Sequence, residues 1–236
     1  MIPLHSTEDL PAWTRRTLGY TFVDPALCHA ALTHRSASAE HNERLEFLGD
    51  AVLNCAVARL LFEAHPTADE GALSRQRASL VSGDTLAQVA GELGLGDYLR
   101  LGSGELKSGG FRRASILADA LEAILGAIFL DAGFDVVFGV VRRILGPRLS
   151  GLPSASELKD PKTRLQEALQ ARGLALPVYG LTGAVGEPHE QSFTVSCEVT
   201  ALGLASEGEG ASRRRAEQQA AERLLAQLPA DMRKFP

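Results

Sequence analysis

Glu43, Glu46 and Asp50 stand at i, i+3 and i+7 in the run NERLEFLGDAVL (residues 42–53), which otherwise reads as an amphipathic helix. At about 100° per residue the three carboxylates fall within roughly 60° of one another, while Leu45, Leu48 and Val52 gather on another side. Like charges at i,i+4 spacing, such as Glu46 and Asp50, cost a few tenths of a kcal/mol, and a bound cation would offset that. Asp119 and Glu122 repeat the pattern at i,i+3 inside SILADALEAILGAIFLD, again on one face and amid apolar residues. Two helices each presenting a pair of neighbouring carboxylates, such as Glu46 with Asp50 and Asp119 with Glu122, would form a four-oxygen cluster if packed side by side. That donor set suits a hard cation: Mg²⁺ takes oxygen ligands and keeps waters that a substrate phosphate can displace. Taken alone, either pair reads equally as a solvated helix face, because Asp and Glu usually stay outside.

These acids need helices to position them. The first run predicts a helix from an N-cap at Asn42 to His65, ended because Pro66 disfavours helix in the residue before it. At about 22 residues it would span roughly 33 Å, enough to cross a domain. A second helix is expected over residues 77–95, ahead of the glycine-rich loop LGSGELKSGG, and a third from Ser115 to about Gly133. Residues 1–149 carry no strand-like alternation, so they are expected to form an all-α domain.

Composition shifts at residues 149–160, where Gly, Pro and Ser collect without apolar periodicity, the mark of a linker. Beyond it a helix is expected over residues 161–172, with Asp160 as N-cap and Gly173 as stop. SFTVSCEV follows, with Phe193, Val195, Cys197 and Val199 alternating with polar residues, as in a half-buried antiparallel strand. A last helix is expected to begin at Ser212 with Ala216, Ala220, Leu224 and Leu225 on one side. The order α-β-β-β-α describes a small α+β domain with helices on one sheet face.

The chain has 236 residues, 45% of them hydrophobic, and a net charge of -5, too apolar for disorder. Residues 1–150 hold 14 Lys/Arg against 18 Asp/Glu, and the rest 10 against 11, so any nucleic-acid contact must come from local clusters such as Arg213-Arg214-Arg215. Cys28, Cys55 and Cys197 are odd in number and far apart, which argues against a disulfide framework or a zinc site. Asp131 and Asp135 interrupt the most apolar stretch, and no signal segment is evident, so no membrane association and a cytoplasmic location are expected.

NERLEFLGDAVL resembles the signature of ribonuclease III, the double-stranded-RNA endonuclease. The likeness continues in LTHRSAS, DEGALSRQRASLV, LGSGELKSGGFRRASILADALEAILGAIFLD and, past the linker, DPKTRLQEALQARG, and so spans nearly the whole chain. It implies an all-α endonuclease domain (1–149), a linker (150–159), a double-stranded-RNA-binding domain (160–228) and a tail (229–236). By resemblance, Glu46, Asp50, Asp119 and Glu122 are the metal-binding carboxylates, with Asp50 and Glu122 catalytic. Glu43 and Glu70 match acidic positions that assist at the site or the dimer interface. Lys107, Arg112 and Arg113 could reach phosphate or belong to a solvated loop. His34 and His41 read as structural or capping groups.

In the C-terminal part, TRLQEAL resembles a first helix whose Thr163, Gln166 and Glu167 reach the RNA minor groove. GEPHEQSF resembles the loop that carries a minor-groove contact at His189. ASRRRAEQQAAERLL resembles the last helix, where Arg213 and Arg214 grip phosphates across the major groove. Many such domains carry a third basic residue after the alanine; this chain has Glu217, which implies one phosphate contact fewer. The resemblance implies hydrolysis of duplex RNA to 5′-phosphate and 3′-hydroxyl ends with Mg²⁺, which Mn²⁺ could replace. It also implies a homodimer whose twofold axis relates two cuts on opposite strands, and a role in processing ribosomal RNA precursors and other structured transcripts. Two other readings are a catalytically inactive duplex-RNA-binding protein and an all-α nucleotide pyrophosphohydrolase.

Overall fold

A computed structural model of the chain describes residues 9–152, 159–187, 190–229 and Met232. Its contacts divide it into two compact units, with the division between Leu152 and Pro153.

The first unit is helical: α1 (Leu10–Thr17), α2 (Pro25–Ala31), α3 (Glu43–Ala64), α4 (Glu70–Leu80), α5 (Gly83–Glu92), α6 (Ser103–Lys107), α7 (Ala114–Ala132) and α8 (Phe134–Leu149). Local chemistry starts several of them. Asp9, Asp24 and Asp69 each accept a hydrogen bond from the backbone N–H two or three residues on, satisfying donors that a helix start leaves open. Asn42 takes the expected position before α3, but its side chain is buried and makes no capping bond. α3 ends at Ala64, just before His65 and Pro66.

The single helix expected over residues 77–95 is two. α4 runs from Glu70 to Leu80, and the chain restarts at Ser82, whose Oγ accepts the Thr85 N–H at 3.3 Å and so begins α5. The apolar pattern continues across the junction because both helices face the same core, which hid the break. α7 stops at Gly133, whose φ of +82° is a conformation glycine adopts without strain.

α3 and α7 form the centre of the unit, and α7 also packs on α2, α5 and α8. Leu53, Ala56, Val57 and Leu61 of α3 meet Leu121, Ile124, Leu125 and Ile128 of α7 in one buried cluster. Each such Leu or Ile contributes about 1.5–3 kcal/mol through burial. Enclosure by several neighbours explains why α7 is apolar nearly all round. The exception near its end, Asp131, accepts hydrogen bonds from the Tyr20 hydroxyl (2.5 Å) and the Val23 and Asp24 amides (2.7 and 3.0 Å), tying α7 to the segment before α2.

The second unit has α9 (Pro161–Gln170), β1 (Val178–Val185), β2 (Ser192–Val199), β3 (Leu204–Gly210) and α10 (Arg213–Gln227). The strands form an antiparallel sheet in the order β1-β2-β3. In β2, Val195, Cys197 and Val199 are buried, and Cys197 and Val199 join a core with Leu165, Leu169, Ala220 and Leu224. α10 lies directly on β3: a Cβ on Gly208 would sit 2.9 Å from the Ala220 Cα, so only glycine permits this approach. Asp160 caps α9 by accepting the Lys162 N–H at 2.9 Å, and Ser212 caps α10 by accepting the Arg215 N–H at 3.3 Å. The three cysteines are free thiols, Cys28 and Cys197 buried and Cys55 exposed. Among the described residues no helix is long and apolar enough to cross a membrane.

Candidate active site

α3 contributes Glu43, Glu46 and Asp50 from successive turns of one face, and α7 contributes Asp119 and Glu122. Two glycines let the helices meet backbone to backbone. A Cβ on Gly49 would fall on the Glu122 carbonyl, 2.5 Å from its carbon, and one on Gly126 would lie 3.2 Å from the Leu45 carbonyl carbon. At that separation carboxylates one turn from the crossing converge. Oxygens of Glu46, Asp119 and Glu122 lie within 4.8 Å of one another, and all three residues are half-buried.

Three acids in so small a space resist ionisation. Burial pushes the Glu122 carboxyl up to about 7, with further contributions from Asp50, Asp119 and Glu46. Glu46 is raised by burial and then by Asp119 and Glu43. Asp119 is also raised by burial, against the lowering influence of His34 and Arg35. A divalent cation would reverse this balance, and partly buried carboxylate oxygens are the donors that Mg²⁺ or Mn²⁺ prefers, so the residues fit such an ion.

The other expected acids are placed differently. Asp50 is exposed and accepts the side-chain amide of Asn54 at 2.9 Å; it acts on Glu122 through charge but is not one of the three converging groups. Glu43 pairs with Arg35 at 3.2 Å and lines a cleft of about 560 Å³ with Glu46 and Asp119. Glu70 stands apart, bonded to Ser74 at 2.7 Å on the wall of a second cavity with Leu61, Phe62 and Leu73.

The cleft also holds residues that spacing did not single out: His34, Arg35, Ser36, Glu105 and Ser115. The His34 ring bonds the Ser36 hydroxyl at 2.8 Å and accepts the Ser36 N–H at 3.2 Å through Nδ1, a local structural role, and it does so on the cleft wall beside Asp119. The LTHRSAS motif was its only signal. Of the three loop cations, Arg113 lines the cleft and is held by Glu105 at 2.7 Å, whereas Arg112 lies over the Phe111 ring and Lys107 is not among the lining residues.

In the second unit Thr163 and Gln166 are exposed on one face of α9, and Glu167 beside them accepts both of its oxygens' bonds from Lys159, at 2.6 and 2.7 Å. Arg213 and Arg214 open α10 and are exposed. His189 lies outside the described residues.

A helical unit with converging carboxylates, followed by an α-β-β-β-α unit, defines a hydrolytic domain joined to a nucleic-acid-binding one. Residues 24–149 match the Ribonuclease-III-like family, and residues 161–228 match the Double-stranded RNA binding motif. The chain is 58% identical to Ribonuclease 3 of Thiobacillus denitrificans over 93% of its own length and 97% of the relative's. It is 57% identical to Ribonuclease 3 of Hahella chejuensis, over 92% and 96%. A solved nuclease domain of ribonuclease III from Campylobacter jejuni, described for flexibility in a region involved in dimer formation, aligns with a TM-score of 0.57. It is 42% identical and covers 58% of this chain and 97% of that one. This chain belongs to the ribonuclease III family of endoribonucleases.

Proposed function

We propose that the protein is a divalent-metal-dependent endonuclease that cuts both strands of double-stranded RNA, leaving 5′-phosphate and 3′-hydroxyl ends. The observation that carries this is the convergence of Glu46, Asp119 and Glu122 within 4.8 Å beside a cleft of about 560 Å³. Those three, with Asp50 adjacent, would hold Mg²⁺, or Mn²⁺ in its place. When bound there, such an ion would supply the chemistry of activating a water and stabilising charge on the departing 3′ oxygen. The protein's own groups do the rest. Helices α3 and α7 fix the carboxylates, and the cations Arg35 and Arg113 on the cleft wall favour entry of the phosphodiester.

Residues 160–228 are the duplex-binding domain, joined by the 150–159 linker to the catalytic domain at 1–149, with a tail at 229–236. A-form RNA is recognised mainly by shape, through 2′-hydroxyls and phosphates, which suits the exposed Thr163 and Gln166 on one helix and Arg213 and Arg214 on another, with His189 as a further minor-groove contact. A homodimer is supported by exposed Phe47 and Phe62 on α3, 82% and 71% accessible, since large apolar side chains left in water favour a partner surface. Glu43 and Glu70 assist at the site or at that interface, and the natural substrates are ribosomal RNA precursors and other structured transcripts.

Incubation with end-labelled duplex RNA, with and without Mg²⁺, tests the reading. Metal-dependent cuts with the stated ends are expected. A bound but uncut duplex would favour an inactive RNA-binding protein, and hydrolysis of nucleoside triphosphates instead would favour a pyrophosphohydrolase.

A further inference from the structure

The second unit has an acidic side chain where its role is least expected, one turn inside the helix that opens with Arg213-Arg214-Arg215. Glu217 is only 14% exposed. Its carboxylate accepts the Lys162 ammonium of α9 at 2.5 Å through Oε2 and the Arg213 Nε–H of its own helix at 3.0 Å through Oε1. Hydrogen bonding from Lys162 is the largest influence on its ionisation and holds it below the usual carboxylate range despite partial burial.

A second link runs beside the first. Gln218 donates its side-chain amide to Asp160 Oδ2 at 2.5 Å, and the other oxygen of Asp160 caps α9. The Lys162 ammonium also lies 4.6 Å from the centre of the Tyr179 ring of β1. Adjacent residues of α10 thus hold the first turn of α9 from two directions. Without Glu217, Lys162 and Arg213 would be two neighbouring cations with no anion between them, and they would repel.

The held segments carry the residues expected to touch RNA. Thr163 follows Lys162 directly, and Arg213 is itself a partner of Glu217. We infer that Glu217 is a positioning residue that sets the spacing at which α9 and the start of α10 meet duplex RNA, so that removing this negative charge weakens binding. The inference rests on the duplex-RNA-binding reading of residues 160–228. The Glu217 carboxylate is already paired with two cations, so its net repulsion of a nearby phosphate is small. Misplacing a helix start affects every contact made from it. Arg213 keeps its use, because the engaged donor is Nε and a bidentate phosphate grip through its two terminal nitrogens does not compete.

The test is fluorescence anisotropy of the full chain with duplex RNA of about 20 base pairs at several salt concentrations, with chelator to prevent cleavage. Circular dichroism melts check folding. Glu217→Gln is expected to weaken affinity about three- to tenfold and to flatten the salt dependence by roughly one phosphate contact. Gln218→Ala changes no charge and is expected to weaken affinity in the same direction. Tighter binding by Glu217→Gln with a steeper salt dependence would make Glu217 a simple repulsive charge and overturn the inference, as would unchanged affinity. If Glu217→Gln fails to fold, Gln218→Ala decides: wild-type affinity overturns the inference and weakened affinity supports it. Failure of the wild type to prefer RNA over DNA duplex would overturn the duplex-RNA reading itself, and the inference with it.

Discussion

Gly49 of α3 lies against the carbonyl of Glu122 in α7, so close that a Cβ there would sit 2.5 Å from the carbonyl carbon and 3.1 Å from the Gly126 nitrogen. Glycine is therefore required by space, not by backbone angle. The contact adjoins the converging carboxylates: Glu46 lies one turn before Gly49, and the residue Gly49 touches is Glu122. Helix separation and carboxylate convergence are the same structural fact.

Gly49→Ala should therefore damage both stability and activity. The added methyl has only backbone to displace, so the helices must part, at a cost of about 1–3 kcal/mol or more. Gly126→Ala should behave similarly, because its Cβ would lie 3.0 Å from the Gly49 nitrogen. Thermal melts and cleavage assays read the outcome; a Gly49→Ala protein with unchanged Tm and turnover would show that the crossing is not needed.

Glu122→Gln should abolish cleavage while sparing fold and duplex binding, since shape is kept and one of the charges proposed to hold the metal is lost. Its effect on metal-free stability has a defined sign. The folded-state carboxyl titrates near 7, above its ordinary 4.5. Stability from holding that proton is fully present below about pH 4.5 and lost as pH rises through about 7. Gln never ionises, so the variant should melt about 2–4 °C above wild type at pH 8 in chelator, with the gap closing toward pH 4. A lower Tm at pH 8 would contradict this.

Mg²⁺ should stabilise the wild type more at pH 8 than at pH 5. The raised Glu46, Asp119 and Glu122 must release protons before they can bind a cation. The rise in Tm on adding millimolar Mg²⁺, measured at both pH values, should shrink in Glu122→Gln and vanish with excess chelator. An equal rise at both pH values would point to binding elsewhere.

Replacing Arg213 and Arg214 together with Ala should weaken duplex binding about equally for unrelated sequences and flatten its salt dependence, because lost phosphate contacts release fewer counterions. His189→Ala should lower affinity with little change in that dependence. Binding isotherms across salt distinguish the two; an unchanged slope in the double-Arg variant would remove Arg213 and Arg214 from the phosphate contacts.

Spacing alone determined which residues share a helix face. Glu43, Glu46 and Asp50 recur on one side of α3, Asp119 and Glu122 on one side of α7, and the alternation in SFTVSCEV marked β2. These are local consequences of 3.6- and 2-residue periods, so they survive without knowledge of the rest of the chain. The break at Ser82 did not survive, because two consecutive helices facing one core leave an unbroken apolar pattern. Tertiary structure decided everything that depended on distance between elements. It selected Glu46, Asp119 and Glu122 as the converging three, turned Asp50 to Asn54 and set Glu70 in another cavity. It also gave Glu217 two cationic partners, one of them 55 residues away, where the linear motif suggested only a missing phosphate contact. Helical period fixes a direction around one axis, but the crossing of two axes depends on which side chains are small enough at the contact, and that is settled only when both helices are packed.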